Sequence, residues 1–286
     1  QYLTGINFFG FKAISSFRIT GLFGNEPIMG RYIALLSIFV FVLFYQNLKK
    51  KKMNFIILII FLVMCEVIVF LSGERVPFFY VSFFTILIVI FVPHYRVYRI
   101  VGIFVSVFII LGILQVNPNA KERMITQTIN EMNETQVPFL PYNIGYEEHY
   151  KSAIKMFNDY PLFGIGTNTF RFQSQKPKYN STTTDINSHP HSFYLQALAE
   201  LGIFGLLFLI TFFMYLSYFI IKQLSVMIKI NKSKHIPFNQ FLFIILIFTY
   251  WWPFIPQMSL YNNWNNVLIM LPLGFLMRDL YSMKET

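Results

Sequence analysis

Charged side chains are scarce: they make up 13% of the 286 residues, where a soluble domain carries about a quarter. A single cysteine, Cys65, lies inside an apolar run. No disulfide framework can therefore hold the fold, and Cys65 reads as a small core or lipid-facing residue. The apolar runs lack the alternation of a strand, which removes the membrane barrel and leaves helices as the spanning structure. No His-Glu-x-x-His pair and no Gly-x-Ser-x-Gly elbow occurs, so the common zinc hydrolase and serine hydrolase signatures are missing. "GIGTNTF" has Gly164 and Gly166 but no third glycine at the dinucleotide spacing, and it follows a helical stretch rather than a strand. It reads as a turn that needs a permissive backbone.

What is abundant is apolar and aromatic, at 55% and 19% of the chain. A helix needs roughly 20 apolar residues to cross a bilayer. Seven stretches approach that length: 28–45, 54–72, 76–92, 100–116, 201–221, 238–255 and the short 267–277, which contains Pro272. The expected class is an all-α polytopic transmembrane helical bundle of about seven spans. The chain opens at Gln1 rather than Met, and an N-terminal truncation with further spans missing is expected. The formal charge of +10 does not point to nucleic acid. It sits in short links: Lys49 to Lys52, Arg96 and Arg99, Lys222 to Lys234, and Arg278 with Lys284. These links alternate along the chain with turns near Gly73 and Ser259, as the positive-inside rule describes. Residues 1–27, 73–75, 117–200 and 256–264 then face outward. Three regions follow: spans one to four over 1–116, a large outer loop over 117–200, and spans five to seven with a tail over 201–286. Tyr250, Trp251, Trp252, Tyr261 and Trp264 flank the last outward turn, where interfacial aromatics belong; a sugar-stacking platform is the other reading.

In the large loop, "NPNAKERMITQTINEMNE" is helix-compatible up to Pro138 and Pro141. A second helix over "EEHYKSAIKMFNDY" would bury a stripe of Ala153, Ile154, Phe157 and Tyr160. The segment from Arg171 to His191 reads as polar loop. Asp185, His189 and His191 are not spaced to share a helix face, so no metal centre is expected. Glu66 lies inside a span, where a carboxyl is either functional or paired with a neighbouring helix. Nine helical residues turn Glu200 to the side opposite His191, so no direct pair is expected. Arg18, Arg75 and His191 all fall at outward ends of spans. A straight helix would place His191 roughly 15 Å above the hydrocarbon. Arginine suits phosphate and histidine can take up a proton near neutral pH, although interfacial arginines also snorkel.

"MFNDYPLFGIGTNTF" followed by "HPHSFYLQALAELGIFGLL" resembles the O-antigen ligase and O-antigen polymerase superfamily. "FRITGLFGNEPIMGRYIA", "SGERVPF" and "WWPFIPQMSLYNNWNNVLIMLPLGF" are similar to its remaining segments. The resemblance implies a GT-C-like membrane glycosyltransferase of the bacterial inner membrane, with a large helical periplasmic loop and the active site facing the periplasm. It implies metal-independent, inverting transfer of a glycan from undecaprenyl pyrophosphate to a glycan or lipid A–core acceptor, or to a protein hydroxyl, in contact with membrane lipid and without a cofactor. Carried over by motif, His191 is the general base, and Arg75 with Arg18 engages the diphosphate. Arg171 and His189, polar groups of the large loop, join the two arginines in binding substrate. Two other classes stay open. Glu66 and the late prolines Pro253 and Pro272 suit a transporter or flippase, and a non-catalytic membrane partner needs no converging site.

Overall fold

A computed structural model describes residues 1–14, 17–47, 52–92, 95–134, 146–180, 188–230 and 235–282. Lys49 to Lys51, Pro138, Pro141, Asp185, Lys232, Lys234 and Lys284 lie outside them. Among the described residues the regular structure is helical, with no β-strand; one isolated bridge joins Ile6 and Lys12. The helices are α1 (Met29–Asn47), α2 (Lys52–Leu71), α3 (Arg75–Phe91), α4 (Arg96–Val116), α5 (Pro118–Lys121), α6 (Gln127–Glu134), α7 (Glu147–Asp159), α8 (Phe170–Gln173), α9 (Phe193–Met227), α10 (Phe238–Tyr250) and α11 (Asn263–Ser282), with a π-helical turn at Glu122–Thr126. Helices α1, α2, α4 and α9 are long and apolar enough to cross a membrane. Helices α3 and α10 are apolar but shorter. All seven expected stretches are helical at their centres, but the sixth stops at Tyr250, leaving 251–255 outside the helix.

Contacts divide the chain into two compact units. The first comprises Gln1–Thr128, Ile220–Tyr250 and Leu271–Thr286. Helix α10 is its centre: every residue from Gln240 to Tyr250 is buried. Tyr250 donates to the Leu35 carbonyl of α1 and its ring meets Tyr80 of α3 edge-on at 6.0 Å. Glu66 of α2 accepts hydrogen bonds from Ser82 of α3 at 3.0 Å and Ser106 of α4 at 2.6 Å. The expected partners on neighbouring helices are therefore present. Cys65 beside it is buried. The buried Arg99 of α4 donates to the Val92 carbonyl and lies 5.7 Å over the Phe55 ring.

The second unit comprises Ile129–Phe219 and Trp251–Met270. Ala153 and Met156 of α7 pack with Phe170, Tyr179 and Ala199. The buried stripe of α7 is Tyr150, Ala153 and Met156. Ile154 and Tyr160, expected in that stripe, are exposed, because the three-residue step from Tyr150 selects a face rotated toward Met156. Trp251, expected at the interface, is buried against Phe193 and Phe212, while Trp264 is 73% exposed. The expected straight entry helix is not straight: α9 is broken at Gly202, whose φ of 69° and ψ of −159° are open essentially to glycine alone.

Candidate active site

In the first unit the "SGER" turn between α2 and α3 organises three arginines. Phe17 meets Phe70 edge-on and the Ile19 amide donates to the Leu71 carbonyl at 3.2 Å. Arg18, held between those two anchors, lays its stem on Gly73. A Cβ there would lie 2.8 Å from Arg18 Cγ, and Gly73 has a φ of 68°, so glycine is required twice over. Arg75 is the first residue of α3 and donates to Thr128 Oγ1 at 3.2 Å. Between them, Glu74 turns back to α1 and accepts from the Gly30 amide at 2.6 Å. A carboxylate there meets the positive end of the α1 dipole. Burial pushes the Glu74 carboxyl up to about 7, against the opposing pull of the Gly30 amide and of Arg31 and Arg18.

In the second unit the histidines cluster. The His189 and His191 rings are 4.0 Å apart between centroids, and His149 of α7 lies 5.4 Å from His191. Tyr146 packs on His191 at 4.1 Å. His191 stands two residues before α9 rather than on it, with a φ of 51°, in a left-handed conformation that histidine tolerates better than most residues. The backbone on either side is clamped. The Gln257 amide donates to the His191 carbonyl at 2.7 Å, and Gln257 Oε1 accepts from the Phe193 amide at 2.9 Å. Ser192 caps the helix by accepting from Leu195 N at 3.3 Å. Gln196 donates to Ser259 at 3.1 Å and accepts from the Leu260 amide at 2.8 Å. The polar letters of "HSFYLQ" thus bind the first turn of α9 to the 251–262 segment, and the imidazole is presented from a fixed backbone.

Glu200 accepts from the amides of Phe170 at 2.7 Å and Asn168 at 3.1 Å, and from Gln196 at 3.3 Å. It therefore fixes the start of α8 and the turn before it. Arg171, on α8, is exposed. His189 is buried, with its Nδ1 2.9 Å from Ser188 Oγ.

The sequence profile of the O-antigen ligase family matches residues 57–210, more than half of the chain. The chain belongs to the O-antigen ligase family. No curated protein and no solved structure shows significant similarity to it. As a member of the O-antigen ligase family it is a membrane protein with activity of the O-antigen ligase or polymerase type. The matched stretch contains Arg75, Arg171, His189 and His191, and Arg18 precedes it.

Sequence reasoning missed Arg31, His149 and Tyr146. Arg31 was readable as the arginine following Gly30 in "IMGRYIA"; only its effect on Glu74 marks it out. His149 sits in the α7 stripe region, more than 40 residues from His191 in the sequence, and nothing local signals that the two rings meet.

Proposed function

We propose that this O-antigen ligase family member transfers a glycan from undecaprenyl pyrophosphate to an acceptor hydroxyl at the periplasmic side of the bacterial inner membrane. The observation that carries the reading is the family match across both the "SGER" turn and the His189–His191 segment. In this reading Arg75 and Arg18 bind the diphosphate, and Arg171 and His189 bind sugar. The acceptor oxygen attacks the anomeric carbon opposite the diphosphate. The bond from that carbon to the diphosphate oxygen breaks, and the electron pair leaves with the diphosphate. His191 takes the hydroxyl proton. Attack from the opposite side inverts the anomeric centre. Fixed arginines stabilise the charge that grows on the leaving oxygen, the role a metal plays elsewhere.

Three features support this arrangement. Arg18 and the "SGER" turn are held rigidly together, so a phosphate finds its donors in place. His191 is anchored through its own backbone carbonyl, which accepts from the Gln257 amide at 2.7 Å. Glu66, the ionisable group that suited a transporter, is held by two serines. The expected topology, with basic links in the cytoplasm and 117–200 outside, belongs to the same proposal.

Complementation tests it. The full-length gene is introduced into polymerase-null and ligase-null strains, beside His191→Ala and Arg75→Ala versions. Longer glycan ladders identify a polymerase, and glycan attached to lipid A–core identifies a ligase. Each substitution is expected to lower product at least 100-fold with the protein still present in the membrane. Variants that retain wild-type product would remove the assigned chemistry.

A further inference from the structure

The turn Pro161–Gly166 is fastened to the break in α9 by main-chain hydrogen bonds: Ile165 N to Ala199 O at 2.9 Å, Gly166 N to Glu200 O at 3.1 Å and Ile203 N to Pro161 O at 2.8 Å. The approach is so close that a Cβ on Gly164 would lie 2.3 Å from the Glu200 carbonyl carbon. One on Gly202 would lie 2.3 Å from the Leu162 oxygen. Backbone contact of this kind sets the height of the turn along α9. Leu162 and Phe163 stand level with residues 202–204, where the apolar run of a helix able to cross a membrane begins.

These two side chains are not packed into the unit. Leu162 is 56% exposed and Phe163 75% exposed. The Phe163 ring lies 5.6 Å from Phe204, itself 56% exposed, and Leu207 and Phe208 continue the same exposed apolar strip one turn further along α9. The loop also carries exposed Lys155 and Lys176, cations suited to lipid phosphates, while Lys178 pairs with Asp159 at 2.6 Å. An apolar tip continuous with the lipid-facing side of a spanning helix matches the bilayer interior rather than water.

We propose that Leu162 and Phe163 are seated among the acyl chains of the bilayer, so that the turn is a membrane-inserted wedge holding the large loop at a fixed depth. The inference depends on α9 crossing the membrane and not on the reaction proposed above. Its occupant is bilayer lipid.

Nitroxide labels test it. Phe163→Cys, Phe208→Cys and Thr167→Cys, each with Cys65→Ala, are labelled and reconstituted in phosphatidylcholine–phosphatidylglycerol vesicles. The label at 163 is expected to match that at 208, with collision by oxygen exceeding collision by a water-soluble nickel chelate at least threefold. The label at 167, one residue beyond the turn, is expected to show the reverse. A label at 163 that behaves like 167 overturns the proposal. So does one shielded from both relaxants, which indicates a protein cover, or one that becomes lipid-like only after a polyprenyl phosphate is added, which indicates the carrier's tail. Phe163→Trp in the otherwise native chain gives a second reading free of the Cys65 change. Lipids brominated on the acyl chain are expected to quench more of its fluorescence than of the wild type's, and equal quenching overturns the proposal.

Discussion

Glu74 stands between a helix amide and arginines, and its carboxyl at about 7 lies far above the 4.5 of a free glutamate. Between those two values the unfolded chain loses the proton and the folded chain keeps it, so stability falls as pH rises through that window and levels off above 7. The full cost is at most about 3 kcal/mol. The thermal midpoint of the detergent-solubilised protein is expected to drop between pH 5 and pH 7.5, and Glu74→Gln is expected to flatten that slope. An unchanged slope in the variant would place the titration elsewhere. Tyr146 acts at the same scale. Its ring packs on His191 at 4.1 Å, a contact of the size worth about 0.5–1.5 kcal/mol. Tyr146→Phe keeps the ring and is expected to transfer glycan at nearly the wild-type rate. Tyr146→Ala is expected to lose roughly three- to tenfold in kcat, with the KM for donor little changed, measured on purified protein with a lipid-linked glycan.

Among the elements, α9 concentrates the constraints. Its first turn carries the clamp on His191, its break at Gly202 receives the Pro161–Gly166 turn, and its remaining length is apolar. Gly202→Ala would demand a Cβ 2.3 Å from the Leu162 oxygen at a φ of 69°, in a backbone region whose strain alone costs about 1–3 kcal/mol. The expected result is a thermal midpoint lowered by several degrees, or no monodisperse protein. Gly112→Ala in α4 has nothing within 4 Å of the new methyl and is expected to leave the midpoint unchanged. Were the two variants equally stable, the docking of the turn on α9 would not contribute to the fold. The sequence announced this element only in part. "PLFGIG" and "ELGIFG" were both legible as glycine-rich, but that the second breaks a helix to receive the first depends on hydrogen bonds between residues about 40 apart.

At the scale of the whole molecule, Glu66 separates the enzyme from the transporter. Its two oxygens accept from Ser82 and Ser106, joining α2, α3 and α4. Glu66→Gln retains an acceptor for one serine and is expected to keep glycan transfer within about twofold. Glu66→Ala removes the acceptor of the half-buried Ser82 hydroxyl and leaves Ser106 only the Gly102 carbonyl at 3.3 Å; it is expected to cost about 1 kcal/mol, read as a lowered thermal midpoint. Abolition of product by Glu66→Gln, with the protein still folded, would point to proton coupling through the membrane instead.

By itself the sequence determined the helical class, four of the seven expected stretches as helices able to cross a membrane, and the motifs of the O-antigen ligase family, because each is written in local runs: apolar length, glycine spacing, and the order of polar letters in "HPHSFYLQ". Only the tertiary structure decided that α9 breaks at Gly202, that His149 and Tyr146 gather on His191, that the charges of Arg31 and Arg18 both act on Glu74, and that Tyr250 and Trp251 are buried against other rings. Those outcomes depend on which distant surfaces pack together, and a buried ring or a shared carboxyl leaves no periodic trace in the chain that carries it.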